Sequence, residues 1–499
     1  MNIAERFLLS RYSIAFVLLI HFIVWFTVFT ALDIHPDMAD HWIWSRHLSF
    51  GYYEHPPFIA LTMRVITLLF SDIVFGLKLG SVLFSVLILY LGYLAARQFF
   101  DRRTALIFVL ILESTPYFST GSVFWHIDQP YMAFWLLGIF SIGKYINTRN
   151  PNWMLLFGGM AGLGALSKYI MILLPMGMMA WLVFNRTSRK LLVHWQTYLG
   201  ALIALAIVAP NIYWNAQNDW ITFSFVLDKG LKGASFGVHF MHFITSQFFL
   251  FSIIYSVYFW WQLFSKNLSA SILEDENKAI AEQKWSFLLF SGLVPFLFFT
   301  LTSFMGSRTD PHWVNVAYFS FFMLLARFIS ILFSQGHIGQ QIILFFSSIG
   351  INAVLLTVVL LQIHYVFIPY QFPDAPSLKV MTGWSRTAEQ IKGPCEERNL
   401  KPPDYIISRE YQLSSALGLY MAHHPWPHSI EKEERNLWSP VNSIRKEGAL
   451  IVCPPSECRD LLDDSRQRFE RPFQYLGEIQ TLHNGKVLRK LKLFHLQPR

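Results

Sequence analysis

Residues 12–32 read YSIAFVLLIHFIVWFTVFTAL and contain no Asp, Glu, Lys or Arg. About 20 apolar residues are needed for an α-helix to cross the hydrocarbon core of a bilayer. A second run of this kind covers residues 342–363. The chain has 499 residues, of which 54% are hydrophobic and 14% are charged, whereas ordinary soluble domains are about 25% charged. These features predict a polytopic α-helical membrane protein.

Further apolar runs predict about eleven spans, all within residues 1–363. They fall at 12–32, 73–100, 104–120, 129–147, 153–167, 170–184, 196–214, 240–264, 285–303, 313–334 and 342–363. Residues 34–70 instead hold shorter amphipathic pieces with Trp42 and Trp44, a pattern typical of helices that lie in the membrane interface.

Basic residues predict the orientation of these spans. Arg6 and Arg11 flank the first run, and no small-residue cleavage site precedes Asp33, so we interpret this run as a retained helix rather than a signal peptide. With the N-terminus in the cytoplasm, the cytoplasmic ends collect about twice as many Lys and Arg residues as the outer ends, as expected from the positive-inside rule. The net charge of +8 therefore points to the anionic membrane surface and not to nucleic acid.

From residue 364 to 499 the composition changes to that of a soluble domain. Residues 401–425 (KPPDYIISREYQLSSALGLYMAHHP) predict a strand, a helix and a turn; residues 448–462 (GALIVCPPSECRDLL) predict a buried strand and a helix; residues 486–496 (KVLRKLKLFHL) predict a closing strand. An odd number of spans puts this small α/β domain outside the cytoplasm. There Cys453 and Cys458 could form a disulfide, which would leave Cys395 free.

Polar and ionisable residues that membrane proteins usually avoid gather in five clusters, all in the loops predicted to lie on the outer face. They are Asp33, His35, Asp37, Asp40, His41, Glu54 and His55 in the first loop; His126 and Asp128; Lys168 and Tyr169; Trp214, Asn215, Asn218, Asp219 and Trp220; and Arg308, Asp310 and His312. Ionisable groups at membrane depth are costly and usually mark function. Their convergence on one face predicts a single functional site.

Each residue also has a simpler interpretation that the sequence leaves open. Asp37 follows a proline and suits a helix cap. Asp128 would be favoured by the dipole at a helix start. Lys168 could simply extend its side chain to the lipid headgroups. The tryptophans suit an aromatic belt, and residues 55–57 (HPP) suit a simple break between helices.

The residue types in these clusters suit transfer of a sugar from a lipid-linked phosphate. Lysine, arginine and histidine would hold the phosphate that leaves. A carboxylate would accept the proton of the attacking hydroxyl as a general base.

Several motifs carry a resemblance to a known family. Asp37 to Pro57 follow D-M-A-x-x-W-x-W-S-x-x-L-x-x-G-Y-Y-E-H-P-P, followed in order by IDQP (127–130), LSKY (166–169), PNIYWNAQNDWITFSF (210–225), DPHW (310–313) and REYQLSSALGLYMA (409–422). Together they resemble the bacterial GT-C glycosyltransferases of the protein-mannosyltransferase-like class, family 39 and its relatives. The same superfamily includes lipid A aminoarabinose transferases and rhizobial galacturonosyltransferases. The resemblance implies a GT-C fold and a membrane glycosyltransferase that uses a polyprenyl-phosphate sugar donor.

The same resemblance implies roles for particular residues. Asp37 matches the general base, and Asp128 matches a second acid in the next outer loop. Contacts to the donor phosphate or sugar are implied for Tyr53, His55, Lys168, Tyr169, Arg308 and His312, and support of the acceptor or its loops for Asp40, Asn215 and Asp219. Many relatives have two adjacent acids where this chain has Asp37 and Met38. Hard cations need several oxygen ligands, so a divalent metal is doubtful, and no cofactor is implied with certainty.

The expected function is sugar transfer to a lipid, glycan or protein acceptor at the periplasmic face of the bacterial inner membrane. The expected partners are the lipid-linked donor, that acceptor and membrane lipids, with no nucleic acid. One alternative is a transporter or flippase for a lipid-linked or anionic solute, although such proteins usually place their ionisable residues near the bilayer midplane within repeated halves. Another is a sensor that binds its ligand through the outer domain.

Overall fold

The structure is a computed structural model. It describes residues 7–8, 10–231, 238–266, 268–269, 278–307, 309–335, 338–365, 380–431 and 435–499. The chain forms two compact units: the first contains Met1–Trp25, Glu54–Phe58 and Ser81–Leu356, and the second contains Phe26–Tyr53, Ile59–Gly80 and Thr357–Arg499. The predicted boundary between residues 363 and 364 stays a prediction.

Helices account for most of the described residues before 366. In chain order they are α1 (Ser13–Thr30), α2 (Pro36–Arg46), α3 (Phe58–Thr67), α4 (Ile73–Phe99), α5 (Arg102–Glu113), α6 (Pro116–Thr120), α7 (Asp128–Thr148), α8 (Trp153–Ala165), α9 (Leu173–Phe184), α10 (Trp195–Gln217), α11 (Ile221–Leu231), α12 (Val238–Leu250), α13 (Ile253–Phe264), α14 (Lys278–Phe304), α15 (Asn315–Ser334) and α16 (Ile338–Tyr365).

Five stretches of helix among the described residues are long and apolar enough to cross a membrane: α1, α4, α10, α14 and Pro311–Ser334, which includes α15. They confirm the predicted spans at 12–32, 73–100, 196–214, 285–303 and 313–334. The predicted runs at 129–147 and 342–363 are also helical, as α7 and α16. The protein is therefore a multi-pass membrane protein.

Four predicted runs are shorter or broken. The run at 104–120 bends by 74° between α5 and the helical stretch Pro116–Val123, and the run at 240–264 bends by 105° between α12 and α13. Pro116 lacks a backbone N–H and disfavours helical geometry in the residue before it, and Ser252 has a φ of 70°. The runs at 153–167 and 170–184 form α8 and α9, of 13 and 12 residues. The total of about eleven spans stays a prediction.

Small residues set the packing of α8 against α10 in the first unit. A Cβ atom at Gly158 would overlap the carbonyl oxygen of Gly200, and one at Gly162 would lie 3.0 Å from the backbone of Ala204. Glycine at these positions allows the two backbones to approach closely, as small residues commonly do between membrane helices. The chain that follows α8 carries Lys168 and Tyr169.

The C-terminal part of the second unit is built on a five-stranded sheet of order β2-β1-β3-β5-β4. The strands are β1 (Tyr405–Ser408), β2 (Trp426–Ser429), β3 (Ala449–Cys453), β4 (Phe473–His483) and β5 (Lys486–Leu496), and the helices are α17 (Trp384–Glu396), α18 (Tyr411–Tyr420), α19 (Val441–Glu447) and α20 (Cys458–Phe469). β1 is parallel to β2 and β3, whereas β5 is antiparallel to β3 and β4.

Side chains that alternate along the strands give this sheet two apolar faces. In β1, Ile406 packs in a cluster with Trp384 and Leu417, whereas Ile407 packs on the opposite side with Phe469. This alternation follows from the two-residue period of a strand. The predicted α/β elements at 401–425, 448–462 and 486–496 are confirmed, and β2, β4, α17 and α19 had not been predicted.

The predicted cysteine pairing is also present. Cys453 and Cys458 form a disulfide, and Cys395 is a buried free thiol. Asn484 and Gly485, with φ values of 49° and 75°, join β4 to β5. Asn-Gly favours a two-residue hairpin turn of this geometry because both residues tolerate positive φ.

We predict that Gly158→Ala lowers the stability of the protein, because the added methyl group would overlap the backbone of α10. Overpacking of this kind costs about 1–3 kcal/mol, measured as a lower melting temperature in detergent. Gly159→Ala is the matched control, since a Cβ atom there meets nothing within 4 Å. Equal melting temperatures for the two variants would contradict the close helix packing.

Candidate active site

A buried ion pair lies at the start of α7 in the first unit. Asp128 is the first residue of this helix, and the Nζ atom of Lys168 donates to its Oδ1 atom at 2.7 Å. The two side chains are only 9% and 11% exposed. Lys168 therefore does not extend to the lipid headgroups. The interpretation of Asp128 as a carboxylate favoured by the helix dipole holds, but it is incomplete without Lys168.

Two histidines complete the surroundings of Asp128. His126 Nδ1 and His312 Nε2 each lie 3.7 Å from the Oδ2 atom of Asp128. The charges of Asp128 and Lys168 balance each other, and the two imidazoles add further nitrogen atoms that can donate or accept hydrogen bonds. We call Asp128, Lys168, His126 and His312 the Asp128 cluster.

Aromatic rings hold both imidazoles of the Asp128 cluster. The ring of His312 stacks on Tyr117 at 6.4 Å, and the Tyr117 hydroxyl accepts a hydrogen bond from Asn315 Nδ2 at 2.7 Å. His126 stacks on Phe124 at 5.2 Å. His126 had been predicted in an outer cluster without a role, and Tyr117 and Asn315 had not been predicted. Tyr117 follows the bend after α5, a position that no apolar run reveals.

His55 joins this part of the first unit through the proline pair that follows it. The ring of His55 makes an edge-to-face contact with His126 at 5.6 Å. Directly after Pro57, the backbone N–H of Phe58 donates to the carbonyl oxygen of Leu166 at 3.1 Å. Residues 55–57 (HPP) therefore separate two helices, and the residue that follows them is hydrogen-bonded to the first residue of the LSKY motif.

Gln129 fixes the loop that precedes Asp128. Its Oε1 atom accepts from the backbone N–H of His126 at 2.7 Å, and its Nε2 atom donates to the carbonyl oxygens of Gly121, at 2.9 Å, and of Phe124. The glutamine of the IDQP motif thus holds the backbone that presents His126 and Asp128. The sequence had indicated the motif but not this role.

The LSKY and PNIYWNAQNDW motifs meet at Tyr169. The Tyr169 hydroxyl donates to Asn211 Oδ1 at 2.8 Å and accepts from Asn215 Nδ2 at 3.4 Å. The two asparagines are buried one helical turn apart on α10, and the Tyr169 ring stacks on Phe223 at 4.7 Å. Asp219 is exposed after α10, and no contact between it and the Asp128 cluster is found among the residues that the structure describes.

In the second unit, Asp37 lies in the first turn of α2. The residue that caps this helix is His35, whose Nδ1 atom accepts from the backbone N–H of Asp37 at 3.1 Å. The interpretation of Asp37 as the cap is therefore wrong. Asp37 Oδ1 accepts a hydrogen bond from the Tyr411 hydroxyl at 2.8 Å, and the Asp37 side chain is 28% exposed.

Asp40 has different surroundings in the same helix. Arg435 Nη2 lies 3.1 Å from its Oδ2 atom, and the Ser415 hydroxyl donates to its Oδ1 atom at 2.8 Å. The Arg435 guanidinium also lies over the rings of Tyr411, at 3.4 Å, and Tyr53, at 5.7 Å. The structure thus places Tyr53 beside Arg435. Arg435 was not among the predicted site residues.

Arg46 is the last residue of α2, and its side chain connects this helix to β2 and the segment before it in the second unit. Its guanidinium lies 3.8 Å above the ring of Trp426 and donates to the carbonyl oxygen of His424 at 2.6 Å. Burial lowers the pKa of Arg46 to about 10, so the side chain stays charged near neutral pH. Burial also lowers the pKa of His424, which keeps this imidazole neutral beside the guanidinium.

This geometry does not test two of the predictions. Arg308 lies outside the described residues, and the doubtful divalent metal stays a prediction.

Comparison with known proteins shows which families and structures this chain is similar to. Residues 54–214 match the family model of dolichyl-phosphate-mannose-protein mannosyltransferases. The crystal structure of ArnT from Cupriavidus metallidurans superposes with a TM-score of 0.63 over 97% of this chain and 98% of that one, at 15% identity. The chain has the GT-C fold of ArnT. The predicted resemblance to the protein-mannosyltransferase-like class is confirmed, and the match over 54–214 includes His55, Asp128 and Lys168.

Two curated proteins are similar to parts of this GT-C protein. Lipid A galacturonosyltransferase RgtD of Rhizobium johnstonii is 25% identical over 250 residues, which are 46% of this chain and 50% of the relative. An undecaprenyl phosphate-alpha-4-amino-4-deoxy-L-arabinose arabinosyl transferase of Pseudomonas aeruginosa is 29% identical over 186 residues, which are 35% of this chain and 32% of the relative. The chain therefore spans half or less of the curated relatives that it matches.

We predict that Lys168→Met strongly destabilises the GT-C protein, because it leaves the Asp128 carboxylate buried without its nearest cation. Removal of one partner from a buried ion pair costs about 3–5 kcal/mol, measured by thermal unfolding in detergent. The double variant Lys168→Met, Asp128→Asn should recover most of this loss. Lys190→Met, at an exposed position of the same unit, is the matched control. A Lys168→Met protein as stable as this control would contradict the prediction.

Proposed function

We propose that this GT-C protein transfers a sugar from a polyprenyl-phosphate donor to an acceptor of the bacterial envelope. The reaction would take place at the periplasmic face of the inner membrane, with the N-terminus in the cytoplasm and residues 364–499 in the periplasm. The observation that carries this proposal is the Asp128 cluster, in which an ammonium and two imidazoles gather around one buried carboxylate. The two curated relatives are glycosyl transferases by name, which supports the same reaction class.

The Asp128 cluster suits the phosphate of the donor. An ammonium group has three N–H donors, and Asp128 occupies one of those of Lys168. The others, with the imidazoles of His126, His312 and His55, would bind the phosphate oxygens. Negative charge develops on this phosphate as the bond to the sugar breaks, and donors that are already in place stabilise that charge most effectively.

Asp37 would act as the general base in the second unit. The acceptor hydroxyl attacks the anomeric carbon of the sugar and loses its proton to the Asp37 carboxylate. A new carbon–oxygen bond to the acceptor forms, the bond between the anomeric carbon and the phosphate oxygen breaks, and the polyprenyl phosphate leaves with that electron pair. The partial exposure of Asp37, in contrast to the buried Asp40, supports this choice of base.

The remaining residues have supporting roles in this proposal. Tyr169, with Asn211 and Asn215, presents hydroxyl and amide groups that suit the hydroxyls of a sugar. Asp40 and Tyr53 belong to the surroundings of Arg435 and would support the helix that carries Asp37. Asp219, in the exposed turn after α10, would support the acceptor or the loops around it.

The transporter alternative has no support in the comparisons, since the curated relatives are transferases by name. A sensor that acts through the C-terminal domain alone would leave the buried Asp128 cluster without a role. Deletion of the gene followed by mass spectrometry of envelope lipids and glycans tests the proposal. A missing mass increment of one sugar on one acceptor is expected, and an unchanged envelope profile would contradict it.

We predict that Asp37→Asn abolishes transfer without loss of the folded protein, because an amide cannot accept the proton of the attacking hydroxyl. The measurement is the modified fraction of the acceptor in a deletion strain that expresses the variant at wild-type level. Asp72→Asn is the control, since Asp72 is exposed in the same unit and its Oδ1 atom accepts a hydrogen bond from the backbone N–H of Phe75. Full transfer by Asp37→Asn would remove Asp37 as the base.

We also predict that His312→Phe weakens binding of undecaprenyl phosphate about tenfold, which corresponds to one lost charge-assisted hydrogen bond. Phenylalanine keeps an aromatic ring against Tyr117 but cannot donate to phosphate. Binding is measured as the rise in melting temperature with added lipid. His242→Phe, at an exposed position of α12, is the control, and equal shifts for both variants would exclude His312 from the phosphate site.

A further inference from the structure

The C-terminal domain contributes a direct hydrogen bond to the proposed base. Tyr411 begins α18, and its hydroxyl donates to Asp37 Oδ1 at 2.8 Å across a separation of 374 residues in the chain. Both residues belong to the second unit. Asp37 is therefore held by a side chain from the far end of the sequence as well as by its own helix.

The Tyr411 ring is itself fixed by charged neighbours. The guanidinium of Arg435 lies 3.4 Å above its centroid, a distance that favours a cation–π interaction. Arg435 is in turn paired with Asp40 at 3.1 Å, and Ser415, one turn after Tyr411 on α18, donates to the other oxygen of Asp40. This series of contacts determines where the Tyr411 hydroxyl points.

The hydrogen bond leaves one oxygen of Asp37 for chemistry. The Nδ1 atom of His35 lies 3.8 Å from Oδ2, and this nitrogen already accepts from the backbone N–H of Asp37. A nitrogen that accepts carries no hydrogen to donate. Within the described ranges, no hydrogen bond to Oδ2 is found. A general base needs such an uncommitted lone pair, held in a fixed direction.

We propose that Tyr411 is a positioning residue that orients the carboxylate of Asp37, so that the C-terminal domain takes part in catalysis. This inference rests on the proposed role of Asp37 as the base. Tyr411 binds Oδ1 and thereby limits rotation of the carboxylate, and Oδ2 takes the proton of the acceptor hydroxyl. Arg435 acts one step further away, through the ring of Tyr411.

Tyr420 provides a matched comparison at the other end of α18. Its hydroxyl accepts a hydrogen bond from the backbone N–H of Ile34 at 2.7 Å. It therefore holds the same segment of chain as Tyr411 does, and a purely structural role would be shared by both tyrosines. Only Tyr411 contacts the side chain of Asp37.

The test uses the full-length protein with Tyr411→Phe, Tyr420→Phe and Asp37→Asn. The substrate source is a detergent-dispersed envelope fraction from a strain that lacks this gene, which retains unused donor and unmodified acceptor. The measured quantities are the maximal rate of sugar addition, the amount of envelope fraction that gives half of that rate, and the melting temperature. Arg435→Lys is a second variant, since it keeps a charge for Asp40 but loses the flat stacking on Tyr411.

Tyr411→Phe should lower the maximal rate about tenfold to a hundredfold, as expected for loss of a hydrogen bond to a charged group that orients a reacting atom. The half-saturating amount of envelope fraction and the melting temperature should match those of Tyr420→Phe, which keeps a rate within about twofold of wild type. Arg435→Lys should lower the maximal rate severalfold.

Three results would overturn the inference. A wild-type rate for Tyr411→Phe, with Asp37→Asn inactive, rejects the positioning role and leaves the proposed function intact. Parallel losses of rate and melting temperature in Tyr411→Phe and Tyr420→Phe reduce Tyr411 to a structural residue. A wild-type rate for Asp37→Asn rejects the proposed base and the positioning role together.

Discussion

The negative charge of a carboxylate that is buried in an apolar helical protein must be balanced by a nearby cation or by hydrogen bonds. In the first unit this requirement applies to Asp128. Lys168 supplies the compensating charge at 2.7 Å. Lys168 follows α8, and glycine at 158 and 200 allows this helix to pack closely on α10. His126, two residues before Asp128, and His312, from a separate segment of the chain, each lie 3.7 Å from the same carboxylate. One electrostatic constraint thus joins three of the polar motifs of the sequence.

The second unit satisfies a similar requirement in a different way. Asp40 is buried and fully paired with Arg435 and Ser415. Asp37 lies less than one helical turn earlier, is partly exposed and accepts one hydrogen bond, from Tyr411. Two acids on one short helix therefore have different surroundings, and that difference supports Asp37 rather than Asp40 as the proposed base.

Much of the fold could be predicted because its local patterns are strong. The apolar runs at 12–32 and 73–100 became α1 and α4 with nearly the predicted bounds, and alternation in residues 486–496 became β5. The broken helices were harder, because an apolar run has the same composition whether it is straight or bent. The bends depend on Pro116 and on the positive φ of Ser252. β2 (WPHS) was missed because four residues with a proline carry almost no strand pattern.

For the candidate site, the amino-acid sequence identifies which residues are unusual: acids, histidines and one lysine in loops between apolar runs, in an order that resembles a known family. It could not determine their partners. Lys168 meets Asp128 across 40 residues, Tyr411 meets Asp37 across 374, and Tyr53 lies beside Arg435. Periodicity describes only neighbours within a helix or strand, whereas these contacts arise where separate segments pack together. Only the tertiary structure decides which oxygen each donor binds, because burial and distance are properties of that packing.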